Sequence, residues 1–142
     1  MSNDIYSQLE RDEGRRGSAY QDSEGYWTIG VGTCIDARKG CSLTVDEQNL
    51  LFHNRVNAAK DSLLSAFPWT ATLDAARFGV LWNMVYEMGI HGLAGFKTML
   101  ACVQAGDWVN AAAALLNSLV ATKQAPARYH RLAVQLEKGE WQ

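Results

Sequence analysis

The sequence predicts an α+β fold with a small β-hairpin lobe, a larger all-helical lobe and a long helix joining the two. Residues 18–35 are rich in Gly, Thr and aromatic or β-branched side chains around a turn signal, a pattern typical of short antiparallel strands. Everything after Ser42 follows helical spacing, with recognisable start and stop signals. We treat the 142 residues as a single domain, with a small lobe at about 14–43 and a helical lobe at about 44–142. An active-site cleft is expected between the lobes.

The first element is a helix over residues 3–13. Its apolar side chains recur at helical spacing, and Asn3 is the expected N-cap. Gly14 follows directly and acts as a C-terminal stop signal.

A hairpin follows the first helix. The polar run at 22–25 is a turn signal, and 26–31 is the best strand candidate. Gly30 and Gly32 allow tight turning or the close approach of a neighbouring chain segment. A second polar turn is expected at 36–40. A lobe of this size is too small to be stable alone.

The long helix begins at a capping box. Thr44 is the cap, and Glu47 is placed to reach back to it. The helix should extend to about Ala66, because Pro68 cannot continue it.

A second helix over 73–88 is apolar on most sides, which indicates burial at the centre of the larger lobe, and Gly89 should end it. In the last helix, Pro126 suits the first helical position and Gly139 the position after the end. This last helix is expected over 126–138, and two others are expected before it, near 93–105 and 107–121.

Composition excludes several classes of protein. The chain is 48% hydrophobic and 20% charged with a net charge of −2, so it is neither disordered nor a basic nucleic-acid binder. No apolar run approaches the length of a membrane span, and the polar N-terminus lacks the apolar core of a signal peptide. We therefore expect no nucleic-acid partner, no stable membrane insertion and no export signal.

The cysteines and histidines predict no metal site. The three cysteines indicate reduced thiols, with pairing of Cys34 and Cys41 left open. The three histidines are scattered, without the i, i+4 spacing of a metal pair. We expect the protein to need neither a metal nor a cofactor.

Three polar residues suit the cleavage of a glycosidic bond. Glu13 lies at the end of the first helix, Asp22 in the hairpin turn and Thr28 on the following strand. Such cleavage needs a proton donor on the leaving oxygen and a second carboxylate across the sugar ring. The partial negative charge at a helix C-terminus disfavours an ionised carboxylate, and a hydroxyl can hold a water. Spacing alone leaves open that Glu13 and Asp22 are solvated surface carboxylates.

The order and offsets of these residues resemble a known family. Glu-Gly at 13–14 is followed by Tyr-x-Asp-x-x-Gly at 20–25 and Thr-Ile-Gly-x-Gly at 28–32. This series is similar to the catalytic signature of the phage T4-type lysozymes, endolysin muramidases of glycoside hydrolase family 24. Later stretches also resemble that family, at 81–89, 94–96, 124–128 and 139–141. The resemblance covers nearly the full chain and implies a lysozyme-like fold whose N-terminal helix packs on the helical lobe.

The resemblance also implies roles for the three candidate residues. Glu13 would be the general acid, and Asp22 would orient or deprotonate a water with help from Thr28. The family cleaves the β-1,4 bond between N-acetylmuramic acid and N-acetylglucosamine with inversion, which requires room for a water between the carboxylates.

Further residues are implied as supports or sugar contacts. Arg128 corresponds to an arginine that pairs with the catalytic glutamate, and Arg131 to one that pairs with the preceding aspartate, Asp12. The alternative is that both arginines are surface charges of little energetic weight. Gly32 and Tyr86 are assigned to substrate binding, although Tyr86 is equally consistent with a partly buried helix aromatic. Asn83 is expected to satisfy backbone groups in an apolar helix.

The expected partner is the glycan strand of bacterial peptidoglycan, cleaved by a monomer. The protein is expected to stay in the host cytoplasm until it gains access to the wall, either through a membrane lesion, which a holin makes in lytic phages, or through delivery by a machine. Two other functions stay open: a non-catalytic wall-binding protein that kept the fold, and an enzyme of altered reaction, either a lytic transglycosylase or a chitin-type hydrolase.

Overall fold

The computed structural model describes residues 4–35 and 43–142, without the side chains of Ile5 and Gln8. The expected turn at 36–40 and the pairing of Cys34 with Cys41 fall outside the described residues. The chain separates into two compact units, Met1–Leu51 and Phe52–Gln142. The cleft between lobes and the packing of the first helix on the helical lobe stay predictions.

The first unit opens with helix α1, Ile5–Glu13. Its N-cap is Asp4, whose Oδ1 accepts a hydrogen bond from the Ser7 amide at 2.8 Å. The prediction of Asn3 as the cap was therefore wrong by one residue, because a capping oxygen must reach the amide three positions ahead. Gly14 ends the helix at φ 73°, as its sequence position predicts.

A three-stranded antiparallel sheet follows, with β1 (Arg16–Gln21) beside β2 (Trp27–Gly30) and β2 beside β3 (Thr33–Cys34). The predicted hairpin is confirmed, while the third strand is an addition. Tyr20 lies opposite Thr28 and Arg16 lies opposite Gly30. Four residue steps in β1 thus face two in β2, which produces a bulge.

Helix α2 spans Val45–Ala66, the bounds that the capping box and the following proline predict. The Glu47 amide donates to Thr44 Oγ1 at 3.2 Å, and Glu47 Oε2 accepts from the Thr44 amide at 2.8 Å. These two hydrogen bonds close the capping box in both directions. A short 3₁₀ helix, Pro68–Thr72, follows α2.

Helix α3 spans Ala75–Ala94 but breaks at Gly89, where φ is 75°. The predicted end at Gly89 is confirmed, since regular helical geometry stops there. Three more helices complete the unit: α4 (Lys97–Ala105), α5 (Trp108–Leu116) and α6 (Pro126–Lys138). No helix of the described residues is both long and apolar enough to cross a membrane.

The helix predicted over 107–121 ends early, at Leu116. The Ser118 hydroxyl donates to the Leu115 carbonyl at 2.6 Å and accepts from the Ala121 amide at 3.2 Å. A serine side chain that bonds nearby backbone groups competes with the regular helical pattern. The chain continues as a short π-helical segment, Val120–Gln124.

The core of the second unit is built around α3. Val80, Leu81 and Met84 are fully buried, and helices α4, α5 and α6 supply most of the other apolar side chains. The largest fully buried side chains are Tyr129, Leu63, Leu81, Met84, Leu93, Met99, Leu115, Leu136, Val80, Val103 and Thr70. The close packing of this core holds α3 and α6 against one another.

Arg77 ties the start of α3 to the end of α6. Its Nε donates to the Leu136 carbonyl and its Nη2 to the Glu137 carbonyl, each at 2.8 Å. Its Nη1 contacts Asp74 Oδ2 at 3.0 Å. Although burial acts to raise it, the pKa of Asp74 lies below its usual range, because the Arg77 amide and guanidinium donate to that carboxylate. One arginine thus satisfies carbonyls that a helix C-terminus leaves open.

Replacing Arg77 by methionine should lower the free energy of unfolding by about 2 to 3 kcal/mol, because two charge-assisted hydrogen bonds to α6 and the ion pair with Asp74 are lost. Urea denaturation followed by circular dichroism measures the change. Arg55→Met, a matched change at an exposed position of α2, should stay within about 0.5 kcal/mol of the parent. Equal effects of the two substitutions would show that the Arg77 hydrogen bonds add no stability.

Candidate active site

Glu13 is the last residue of α1, and its side chain lies directly on the backbone of Gly32. Gly32 belongs to the turn between β2 and β3 and has a φ of 65°. A Cβ built there would lie 2.7 Å from Glu13 Oε2 and 3.0 Å from Glu13 Cγ. Only glycine combines this positive φ with so close an approach at no steric cost. The close contact predicted for Gly32 is therefore made, and its partner is the candidate acid.

Glu13 borders an open cavity of about 340 Å³ within the first unit. Its walls come from α1 and from the chain that flanks the sheet: Tyr6, Leu9, Glu10, Glu13, Arg15, Val31 and Gly32. Arg15 Nε donates to Glu10 Oε1 at 2.6 Å across the end of the helix, and this hydrogen bond lowers the pKa of Glu10. The Glu13 carboxyl therefore lies at a surface that a ligand can reach.

Asp22 is half-buried in the turn between β1 and β2. Its Oδ1 accepts from the backbone amides of Glu24 at 2.9 Å and Tyr26 at 2.8 Å. The turn is closed by its own backbone, because the Asp22 amide donates to the Tyr26 carbonyl at 2.9 Å. Two backbone donors on one oxygen fix the carboxylate in a single orientation. Within residues 4–35 and 43–142, Oδ2 receives no hydrogen bond.

Thr28 lies in the central strand and is 4% exposed, the most buried polar side chain of the first unit's described residues. Its Oγ1 donates to the Tyr26 carbonyl at 3.1 Å. The hydroxyl proton is thereby directed to the backbone, and the oxygen lone pairs remain as acceptors.

The backbone of Tyr26 connects Asp22 to Thr28. Its amide donates to Asp22 Oδ1, and its carbonyl accepts from both the Asp22 amide and Thr28 Oγ1. Sequence reasoning missed this role, since a backbone contact carries no side-chain signature. The three candidate residues thus belong to one compact unit. Glu13 is placed through Gly32, and the other two are placed through Tyr26.

In the helical unit, Arg128 is oriented by two residues of α3. Its Nε and Nη2 donate to Asn83 Oδ1 at 3.0 and 2.6 Å, and its Nη1 lies 3.5 Å from Glu87 Oε2. The same Glu87 oxygen accepts from the Tyr129 hydroxyl at 2.7 Å. Burial, followed by the bond to Glu87, raises the pKa of the Tyr129 phenol well above its usual value. The expectation that Asn83 serves backbone groups was wrong, because its side-chain oxygen accepts from Arg128.

Tyr86 is 45% exposed, and its ring meets the edge of Phe52 at 6.0 Å between centroids. It borders a cavity of about 370 Å³ that Asn83 and Arg128 also line. An exposed aromatic face is the geometry that sugar stacking needs. Its role in binding substrate stays a prediction.

The other two predicted supporting residues, Asp12 and Arg131, are both exposed. Asp12 Oδ1 accepts from Arg11 Nε at 3.0 Å, and both side chains are more than half exposed. Arg131 is exposed and borders a cavity of about 540 Å³ together with Arg128. The predicted pairing of Arg131 with Asp12 and of Arg128 with Glu13 stays a prediction.

Metal ligands are not gathered at any of these places. Among the residues that the structure describes, no three His, Cys, Asp or Glu side chains cluster closely enough to hold an ion.

Comparison with known proteins identifies the family. The model of the phage lysozyme family matches residues 10–130. The chain belongs to the phage lysozyme family. It is accordingly a T4-type lysozyme, a glycoside hydrolase that degrades peptidoglycan.

The chain is also similar to individual members of the family. It is 29% identical to probable T4-type lysozyme 1 of Dictyostelium discoideum, over 98% of this chain and 96% of that protein. Probable T4-type lysozyme 2 of the same organism is 27% identical over the same shares. The pre-baseplate central spike protein Gp5 of Enterobacteria phage T4 is 32% identical over 78% of this chain, which spans 24% of that longer protein.

Gly32→Ala should reduce catalytic activity about 10²-fold, because the new methyl group forces the Glu13 carboxyl out of its position. Gly30→Ala is the matched control. Gly30 also has a positive φ, 68°, but a Cβ there meets no atom within 4 Å. Both variants should lose about 1 to 2 kcal/mol of stability from backbone strain. Turnover of peptidoglycan by the folded variants measures the difference, and equal losses would contradict the steric role of Gly32.

Proposed function

We propose that this lysozyme is an endolysin-type muramidase that hydrolyses the β-1,4 bond between N-acetylmuramic acid and N-acetylglucosamine with inversion. Glu13 acts as the general acid, and Asp22 and Thr28 position the attacking water. The observation that carries this proposal is the pair of anchors in the first unit. Glu13 packs against Gly32, and Asp22 and Thr28 share the backbone of Tyr26.

The environment of Glu13 supports its role as the acid. The carboxyl group is the last side chain of α1. It opens onto a cavity rather than into the core, so the oxygen of a leaving sugar can reach it. Its contact with Gly32 limits the directions in which the carboxyl can point. A proton donor of fixed direction is what glycosidic cleavage requires.

The water is assigned to Asp22 and Thr28. Two backbone amides occupy Asp22 Oδ1, which leaves Oδ2 to accept a proton of the water. Thr28 Oγ1 donates to the Tyr26 carbonyl, so its lone pairs are left to accept a hydrogen bond from that water. An inverting enzyme needs such a held water on the face of the sugar opposite the acid.

The resemblance adds the supporting residues. We assign Gly32 and Tyr86 to contact with the sugar, and we assign Arg128 and Arg131 to ion pairs with Glu13 and Asp12. The exposed ring of Tyr86 supports its share of this assignment. The fixed guanidinium of Arg128 supports a structural task beyond that of a free surface charge.

The role in lysis also follows from the resemblance. An endolysin accumulates inside the host and reaches the wall when a holin opens the inner membrane. The peptidoglycan glycan strand is then its substrate, and the enzyme acts as a monomer.

Glu13→Gln should lower the rate of wall hydrolysis by about 10³-fold, because the amide cannot supply a proton to the leaving oxygen. Clearing of Gram-negative cells with a permeabilised outer membrane measures the loss. Glu140→Gln, the same change at an exposed position, should clear cells like the parent. Substantial clearing by folded Glu13→Gln would reject Glu13 as the acid. A parent protein that binds purified peptidoglycan without releasing reducing ends would favour a wall-binding function.

The products should carry reducing muramic acid ends that first appear as the α-anomer, because inversion of a β-linkage gives α. Proton magnetic resonance of soluble glycan fragments, recorded before mutarotation, distinguishes the anomers. An initial β-anomer would indicate retention. Anhydro-muramic ends, identified by mass spectrometry, would indicate a lytic transglycosylase.

A further inference from the structure

We propose that Glu87 and Tyr129 are positioning residues that orient Arg128 for its part in the reaction. The proposal rests on the proposed function, in which Arg128 pairs with the catalytic acid Glu13. It concerns two side chains of the helical unit that act through the arginine.

The arrangement follows from two neighbouring helices. Asn83 and Glu87 lie four residues apart on α3, so their side chains share one face of that helix. Arg128 and Tyr129 are adjacent in the first turns of α6. Each α3 residue thereby meets the same guanidinium from a different side.

All three nitrogens of the guanidinium face acceptors on α3. Nε and Nη2 donate to Asn83 Oδ1, Nη2 also lies 3.5 Å from the Asn83 carbonyl, and Nη1 lies 3.5 Å from Glu87 Oε2. Asn83 alone would leave the planar group free to swing about that one acceptor. The carboxylate of Glu87 supplies a second acceptor, which sets the direction of the Nη1 edge of the guanidinium.

Tyr129 determines the position of the Glu87 carboxylate. Its ring is fully buried in the core, so its hydroxyl cannot shift. The hydroxyl donates to Glu87 Oε2 at 2.7 Å, the same oxygen that faces Arg128. A rotation of the Glu87 side chain would break both contacts at once, and a buried phenol without a partner is costly. The buried Tyr129 thus fixes Glu87 Oε2, and this oxygen in turn orients Arg128.

Charge strengthens the geometric argument. Arg128 and Glu87 are each only about one-third exposed, with side-chain exposures of 35% and 29%, so water screens their attraction incompletely. Tyr129 donates to the ionised carboxylate and stabilises its charge. Glu87 thus both balances and directs the positive charge that Arg128 presents.

A double-mutant cycle tests the proposal, with kcat and KM measured on soluble peptidoglycan fragments. In the parent, Glu87→Gln should lower kcat about tenfold with little change in KM, and Tyr129→Phe should lower it three- to tenfold. Glu87→Gln keeps an oxygen that accepts from Tyr129, so it isolates the loss of charge and should stay folded. Glu137→Gln, at an exposed position of α6, is the matched control and should act like the parent.

The same two substitutions are then made in an Arg128→Met background. If they act through Arg128, each should change kcat less than twofold there, because the group that they position is gone. Equal effects in both backgrounds, or no effect of Glu87→Gln in the parent, would overturn the proposal. An Arg128→Met enzyme of full activity would reject the role of Arg128 itself and the proposal with it. Glu13→Gln tests the acid separately, so the failures are distinguishable.

Discussion

Burial of helix α3 is the interaction on which the second unit depends. Its apolar face, with Leu81 and Met84 fully enclosed, belongs to the same buried cluster as side chains from α4, α5 and α6. A helix enclosed on so much of its surface cannot rotate without opening the core, because protein interiors are close-packed. Two of its polar residues, Asn83 and Glu87, are therefore held on the face that meets Arg128. The order of the Arg128 guanidinium is a consequence of hydrophobic packing, expressed through polar contacts.

The first unit relies on a different kind of constraint. Its described sheet has three short strands, and of its described polar side chains only Thr28 is buried. Backbone hydrogen bonds and glycine conformations do the positioning that a large core does elsewhere. Asp22 is directed by the amides of its own turn, and Glu13 is confined by the bare backbone of Gly32. A small lobe can in this way carry precisely directed groups with little buried surface.

Sequence reasoning succeeded where local chemistry decides the structure. The start of α2 follows from a capping box, and the bounds of α6 follow from Pro126 and Gly139, whose backbone preferences are intrinsic. It was wrong where two neighbours compete for one role, as at Asn3 and Asp4, and where the hydroxyl of Ser118 interrupts a helical pattern. Strand β3 was missed because two residues are too few to show a periodicity.

The members of the candidate site are predicted by a short motif, whereas its connections appear only in the structure. The motif around Glu13, Asp22 and Thr28 is contained in a short stretch of sequence, which lies within the range of the family match. The contact of Gly32 with Glu13 and the bond of Arg128 to Asn83 join residues that are distant along the chain. Such contacts depend on the packing of whole elements, which spacing in the sequence does not encode. The role of the Tyr26 backbone has no sequence signal at all, because every residue has the same amide and carbonyl.

The Arg77 contacts have a consequence for how the protein is made. Arg77 is separated by 59 residues from Leu136 and by 60 from Glu137, whose carbonyls accept its hydrogen bonds. The ribosome therefore adds both acceptor residues long after it has completed α3. Until then the apolar face of α3 lacks α6 as a cover, and closing so long a loop carries an entropic cost. A nascent chain that stalls between the two helices displays that face to solvent and to chaperones. Folding of the helical unit is therefore tied to the completion of α6 rather than to the appearance of each helix in turn.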